Sequence, residues 1–233
     1  MSIEGLQAFA LGGLAQSSLL LAGLVVYWVK PTKRVIGALA GYGAGALIAA
    51  VAFDLVPEAE ELLNWELAIW MLGGALVFVV SDRIVESKFG EGDSAGPLGI
   101  VVGSVVDGIP ESIIFGIQIG AGSPIGAAFI AAVFISNIPQ ALAPSASLAE
   151  SGWPRARTTA MWSIVVLACA VTAWLGYLLG SAGDATGARP AALAAGGLLA
   201  MLTDSLMPYA VKEGGSPAGV WTVVGFVTAL AMA

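Results

Sequence analysis

Eight apolar runs, each long enough to cross a hydrocarbon layer, dominate this chain and leave it little else to fold with. Their approximate limits are 5 to 29, 34 to 56, 66 to 85, 97 to 119, 123 to 147, 156 to 180, 188 to 210 and 216 to 232. A layer of about 30 Å calls for about 20 apolar residues in helical conformation. The runs are continuous rather than alternating, which argues against a β-barrel. Charged residues occupy only 11% of the 233 positions, less than half of what a soluble domain uses to cover its core. The expected fold is therefore an all-α integral membrane protein: one transmembrane domain of eight helices over 1–233, with the lipid bilayer as its partner and no nucleic acid.

The basic residues predict how such helices are threaded. Lys30, Lys33 and Arg34 flank the first connection, Arg83 and Lys88 the third, Arg155 and Arg157 the fifth, and Lys212 the seventh. Arg189 alone falls beside an even-numbered one. Basic loops stay on the cytoplasmic side, so this eight-to-one split predicts a multi-pass cell-membrane protein with both termini extracytoplasmic. Met-Ser-Ile-Glu places no basic segment ahead of the first run, which is expected to span rather than to be a cleaved leader. The connection 86–96, ESKFGEGDSAG, reads as a flexible linker. Gly37, Gly41 and Gly45 recur every four residues in the second run. Such a stripe admits another helix at close range, from the same chain or from a second copy in a homodimer. Cys169 is the single cysteine; it rules out a disulfide within one chain and reads as a small packing residue.

Within the fourth run, SVVDGIPESIIFG carries Asp107 and Glu111 at i and i+4, hence on one helix face. Pro110 cannot donate a backbone hydrogen bond and frees the carbonyl of Val106. The fifth run repeats the device 29 residues later as Ser136-Asn-Ile-Pro-Gln140. There Pro139 frees the carbonyl of Ile135, Ser136 and Gln140 share a face, and Asn137 sits one position around. Consecutive spans run in opposite directions, so the two signatures form an inverted pair near mid-membrane. A fainter echo links Phe53-Asp-Leu-Val-Pro57 to Asp204-Ser-Leu-Met-Pro208, with the Asp-to-Pro spacing different by one. Inverted repeats with broken helices are a recurring transporter plan.

A charged carboxylate at a helix centre costs about 2.5–3.5 kcal/mol on insertion scales. Every Lys and Arg falls at or near the end of a run, none near the middle of one, and the chain contains no histidine. Asp107 and Glu111 must therefore be protonated, face water, or meet a cation that is not part of the protein. Asp54 and Asp204, nearer the helix ends, read as solvated or capping groups or as steps on an ion pathway. Glu58, Glu60, Glu61 and Glu66 crowd the second connection as a solvated face or a cation-attracting vestibule. An intramembrane enzyme is not expected, because there is no His for a Ser-His or metalloprotease centre and no intramembrane Gly-Asp pair of the aspartyl-protease type.

These residues resemble the ZIP family of divalent metal transporters. The likeness rests on the two proline signatures, the eight runs, the outside termini and the second run ending Asp-Leu-Val-Pro-Glu-Ala. In that family the fourth helix typically reads His-Asn-x-Pro-Glu-Gly, and the fifth carries a polar-polar-x-Pro-Glu. The resemblance implies a ZIP-like fold and a metal site of Asp107, Glu111, Ser136, Asn137 and Gln140, with the ion as substrate and no cofactor. Asp107 stands where the family has His, Gly108 where it has Asn and Gln140 where it has Glu. The sixth run has no carboxylate around 168–176. A bimetal centre is accordingly not expected. One oxygen-rich site is, and oxygen ligands suit a harder ion such as Mn²⁺ without forbidding zinc. Two functions follow: transport of a divalent cation, or a ZIP-like membrane protein whose metal transport is altered or lost, leaving a proton, organic-cation or structural role.

Overall fold

The computed structural model describes residues 2–90, 96–122, 125–182 and 187–232, excepting the side chain of Pro97. They form eight helices and, among the described residues, no strand. These are α1 (Ile3–Val25), α2 (Lys33–Glu58), α3 (Asn64–Phe89), α4 (Gly96–Ala121), α5 (Ala127–Glu150), α6 (Arg155–Ser181), α7 (Ala188–Gly214) and α8 (Ala218–Leu230). Each coincides with an expected run to within a few residues at either end. Part of the expected linker, 91–95, and the first two residues of the fifth run, 123–124, lie outside the described residues. Helix α3 continues through Phe89 before Gly90 turns out of it at φ 90°.

Seven of the helices are long and apolar enough to cross a membrane, as in a multi-pass helical membrane protein, and α8 is a shorter apolar helix. Large apolar side chains point outward along them; Leu72 and Leu76 of α3 are 70% and 65% exposed. A surface of that kind needs lipid rather than water around it. Although α8 has only 13 residues, it runs parallel to α2. Its first residue, Ala218, stands against Gly41, and Phe226 packs edge-on against Phe53 at 5.9 Å.

The described helix ends that flank the odd-numbered connections gather at one end. The Arg155 guanidinium lies 4.6 Å from the ring of Trp28, the Tyr27 hydroxyl donates to the Trp153 carbonyl at 2.8 Å, and Gly37 abuts Gly214. All nine Lys and Arg are exposed, eight of them at or near this end. At the other end Glu58 approaches Gly187, and the Ser2 hydroxyl donates to Tyr177 at 2.8 Å.

Glycine sets the helix pairings. A β-carbon at Gly45 would run into the Thr222 carbonyl, and one at Gly225 into the Tyr42 carbonyl. The four-residue glycine stripe of α2 is therefore filled by α7 and α8 of the same chain, not left for a second copy. Helices α4 and α6 meet as closely: Gly116 and Gly120 lie on the backbone of Ala173 and Tyr177, while Gly176 and Gly180 lie on that of Ile113 and Ile117. The remaining principal pairings are α1 with α6, α3 with α7, and α5 with both α1 and α2. Buried Cys169 seats against Gly108, a packing role.

Two helices widen locally into π-helix, α2 at Val51–Leu55 and α7 at Leu202–Leu206. Each stretch ends two residues before a proline, Pro57 or Pro208. Proline lacks an N–H and its ring clashes with the carbonyl four residues back, and a wider turn relieves that clash. The faint sequence echo is thus in register on proline rather than on aspartate: Asp54 corresponds to Ser205, and Asp204 to Phe53.

Candidate functional site

Near the middle of their helices, three polar side chains from α1, α4 and α5 form a buried chain. Gln16 Nε2 donates to Glu111 Oε2 at 2.8 Å, and Asn137 Nδ2 donates to Gln16 Oε1 at 2.9 Å. Gln16, Glu111 and Asn137 are 0%, 1% and 2% exposed. The Gln16 amide thus turns its donor edge to Glu111 and its acceptor edge to Asn137. The second carboxylate oxygen, Oε1, is buried and has no partner.

Helices α4 and α5 touch each other only slightly, because α6 holds one side of α4 and α1 packs on both α4 and α5. The two proline signatures face one cavity through Asp107, Pro139 and Gln140. Gln16 links them, and sequence reasoning missed it. A signal was there: a lone amide in mid-run is one of the few N–H donors available to a carboxylate in spans whose basic residues all lie toward their ends.

Toward the basic end, a cavity of about 430 Å³ is bounded by the C-terminal halves of α3, α5 and α7 and the N-terminal half of α4. Asp82, Asp107, Gln140, Asp204 and Lys212 line it together with Pro139 and Pro144. Pro144, a third helix-interior proline that the sequence reading passed over, frees the carbonyl of Gln140. The cavity reaches Asp107, one turn short of Glu111. In the other direction Glu111 is followed by the fully buried rings of Phe115 and Phe129, 4.9 Å apart between centroids. Beyond them Gln118, two turns from Glu111 on the same face, has a buried Oε1 without a partner.

Of the sequence-predicted residues, Glu111 and Asn137 come together through Gln16, while Asp107 and Gln140 share the cavity with Asp204. The Ser136 hydroxyl donates to the Val133 carbonyl of its own helix at 3.0 Å, and its α-carbon seats against Gly43 of α2. Asp54 lies at the end away from the cavity, facing Gly126, with a buried Oδ2 that has no partner. Glu66 accepts from the Leu63 backbone at 3.4 Å at the start of α3, a capping contact. Among the described residues no three Asp, Glu, His or Cys side chains converge as a metal-holding group.

No protein-family model matches the chain, and no curated protein matches it.

Proposed function

We propose that the chain carries a divalent metal cation through the membrane at one oxygen-rich site centred on Glu111, exposing the site alternately to the two sides. The observation that carries this reading is Glu111 Oε1, a carboxylate oxygen buried mid-span with no hydrogen-bond partner and no buried Lys or Arg anywhere in the chain to neutralise it. A cation brought from outside the protein offsets the cost of holding it there. Asn137 lies one amide away, and amide, hydroxyl and freed carbonyl oxygens can fill the remaining positions around a hard cation. Asp107, Gln140 and Asp204 give the ion an acidic approach from the cavity, and Asp54 gives one from the opposite end. The tilted Phe115–Phe129 pair closes the side away from the cavity.

The resemblance to the ZIP transporters adds to this reading, and so does the packing. Exchange α1, α2 and α3 with α6, α7 and α8, and α4 with α5. The pairing α2–α8 then becomes α7–α3, α4–α6 becomes α5–α1, and α1–α6 and α2–α7 map onto themselves. The two π-helical stretches exchange as well. Such a scheme suits an inverted repeat with its site where the halves meet. With the basic end cytoplasmic, the described cavity is an inward-facing one.

The alternative, a ZIP-like membrane protein without metal transport, has one observation in its favour: the Gln16 amide already donates to Glu111. Reconstitution decides between them. Proteoliposomes of the wild type should accumulate Mn²⁺ or Zn²⁺ faster than those of Glu111→Ala, and equal rates for Zn²⁺, Mn²⁺, Cd²⁺ and Mg²⁺ would remove the transporter reading.

A further inference from the structure

Helix α1 places the Gln16 amide between the two side chains that the cation reading needs. Its Nε2 is 2.8 Å from Glu111 Oε2, and its Oε1 is 2.9 Å from Asn137 Nδ2. The amide also lies over Gly108. A β-carbon at that position would stand 3.5 Å from both Gln16 Nε2 and Oε1, and 2.6 Å from Cys169 Sγ. A side chain at 108 would therefore meet Cys169 first and reach the Gln16 amide at ordinary contact distance. Gln16 of α1 thus lies against α4 at a position that carries no side chain of its own, and brings a polar group there across the interface.

We infer that Gln16 is a cation ligand and that, in the ion-free state, its amide group holds the cation's place. The inference rests on the reading of Glu111 as a cation site. A primary amide presents a donor edge and an acceptor edge. With the donor edge toward Glu111, it satisfies Oε2 and leaves Oε1 as the atom that first meets an ion. Rotation by half a turn about the last side-chain bond carries the Gln16 oxygen toward the ion and releases Oε2. It also removes the acceptor of Asn137, whose amide can turn its own oxygen inward in the same way. Three helices then contribute oxygen ligands, of the kind that hard divalent cations take from carboxylates and side-chain carbonyls. No covalent or redox step is involved.

The test is Mn²⁺ binding by the full-length protein in detergent, followed by electron paramagnetic resonance of the free ion, for wild type, Glu111→Gln, Gln16→Glu and Gln16→Ala. Size-exclusion profiles check that each variant is folded. Wild type binds Mn²⁺ and Glu111→Gln does not. Gln16→Glu keeps the shape and adds a carboxylate, and it should tighten binding about tenfold, while Gln16→Ala should weaken it about tenfold. A residue that merely clamps Glu111 in place would weaken binding in both variants, so the opposite signs identify a ligand. If Gln16→Ala does not fold, the sign for Gln16→Glu decides alone. Wild-type affinity in Gln16→Glu, with binding lost in Glu111→Gln, would overturn this inference and leave the cation site standing. Absence of Mn²⁺ binding by the wild type would overturn both.

Discussion

Replacing Gln16 with Leu removes two buried hydrogen bonds while nearly conserving volume, so its effect on stability reports the polar chain rather than a cavity. Leaving the buried Glu111 oxygen without its donor costs about 1–3 kcal/mol. The amide–amide bond to Asn137 contributes about 0.6 kcal/mol, the mean for such pairs between membrane helices, where the unfolded chain also finds partners. Together they predict a loss of about 2–4 kcal/mol for Gln16→Leu. A second substitution turns this into a sharper test. Replacing both ends of a buried hydrogen bond with apolar groups is close to neutral. The double variant Gln16→Leu/Glu111→Leu should therefore regain most of the lost stability. Unfolding by SDS in mixed micelles, with a chelator present and tryptophan fluorescence as the signal, measures both. A Gln16→Leu loss below about 0.6 kcal/mol, or a double variant less stable than the single one, would refute the view that Gln16 offsets the buried carboxylate.

Further outcomes follow from the same geometry. Gly45→Ala and Gly225→Ala force α2 and α8 apart and should each destabilise by about 1–3 kcal/mol, whereas Gly73→Ala, which meets open space in mid-helix, should leave stability the same or slightly higher. Cys169 is fully buried, so the native chain gives no background in thiol labelling. A cysteine at Ser151 should react with an impermeant maleimide only after permeabilisation, and one at Glu60 should react in intact cells; the reverse pattern would invert the topology. Asp204→Asn, on the cavity wall, should slow transport at low ionic strength and approach wild type at high salt, because exposed charges act mainly by steering.

Much of the fold was legible because lipid forces a simple grammar. Each expected run became a helix, and the eight basic residues at the odd-numbered connections gathered at one end. The proline echoes were legible too, since proline alters hydrogen bonding wherever it falls. The alignment of Asp54 with Asp204 was not, because the π-helical turns count from the proline and shift the aspartates by one. Two further features depended on tertiary partners. The close α4–α6 packing follows from Gly116 and Gly120 and from Gly176 and Gly180, two pairs at the four-residue spacing that was read only in the second run. Gln16 sits 95 positions from Glu111 in a run otherwise read as plain apolar packing. The carboxylate at 111 advertised a missing partner, but nothing local said which helix would bring one.

A divalent cation held at mid-membrane against Glu111 should be visible in crystals of the wild-type protein soaked in Mn²⁺, by an anomalous difference map calculated beside one from Glu111→Gln. A single peak is expected next to the Glu111 carboxylate, between α1, α4 and α5, and it should disappear in the variant. A map with no peak there at saturating Mn²⁺, and with the Gln16–Glu111 hydrogen bond intact, would contradict a cation site at Glu111.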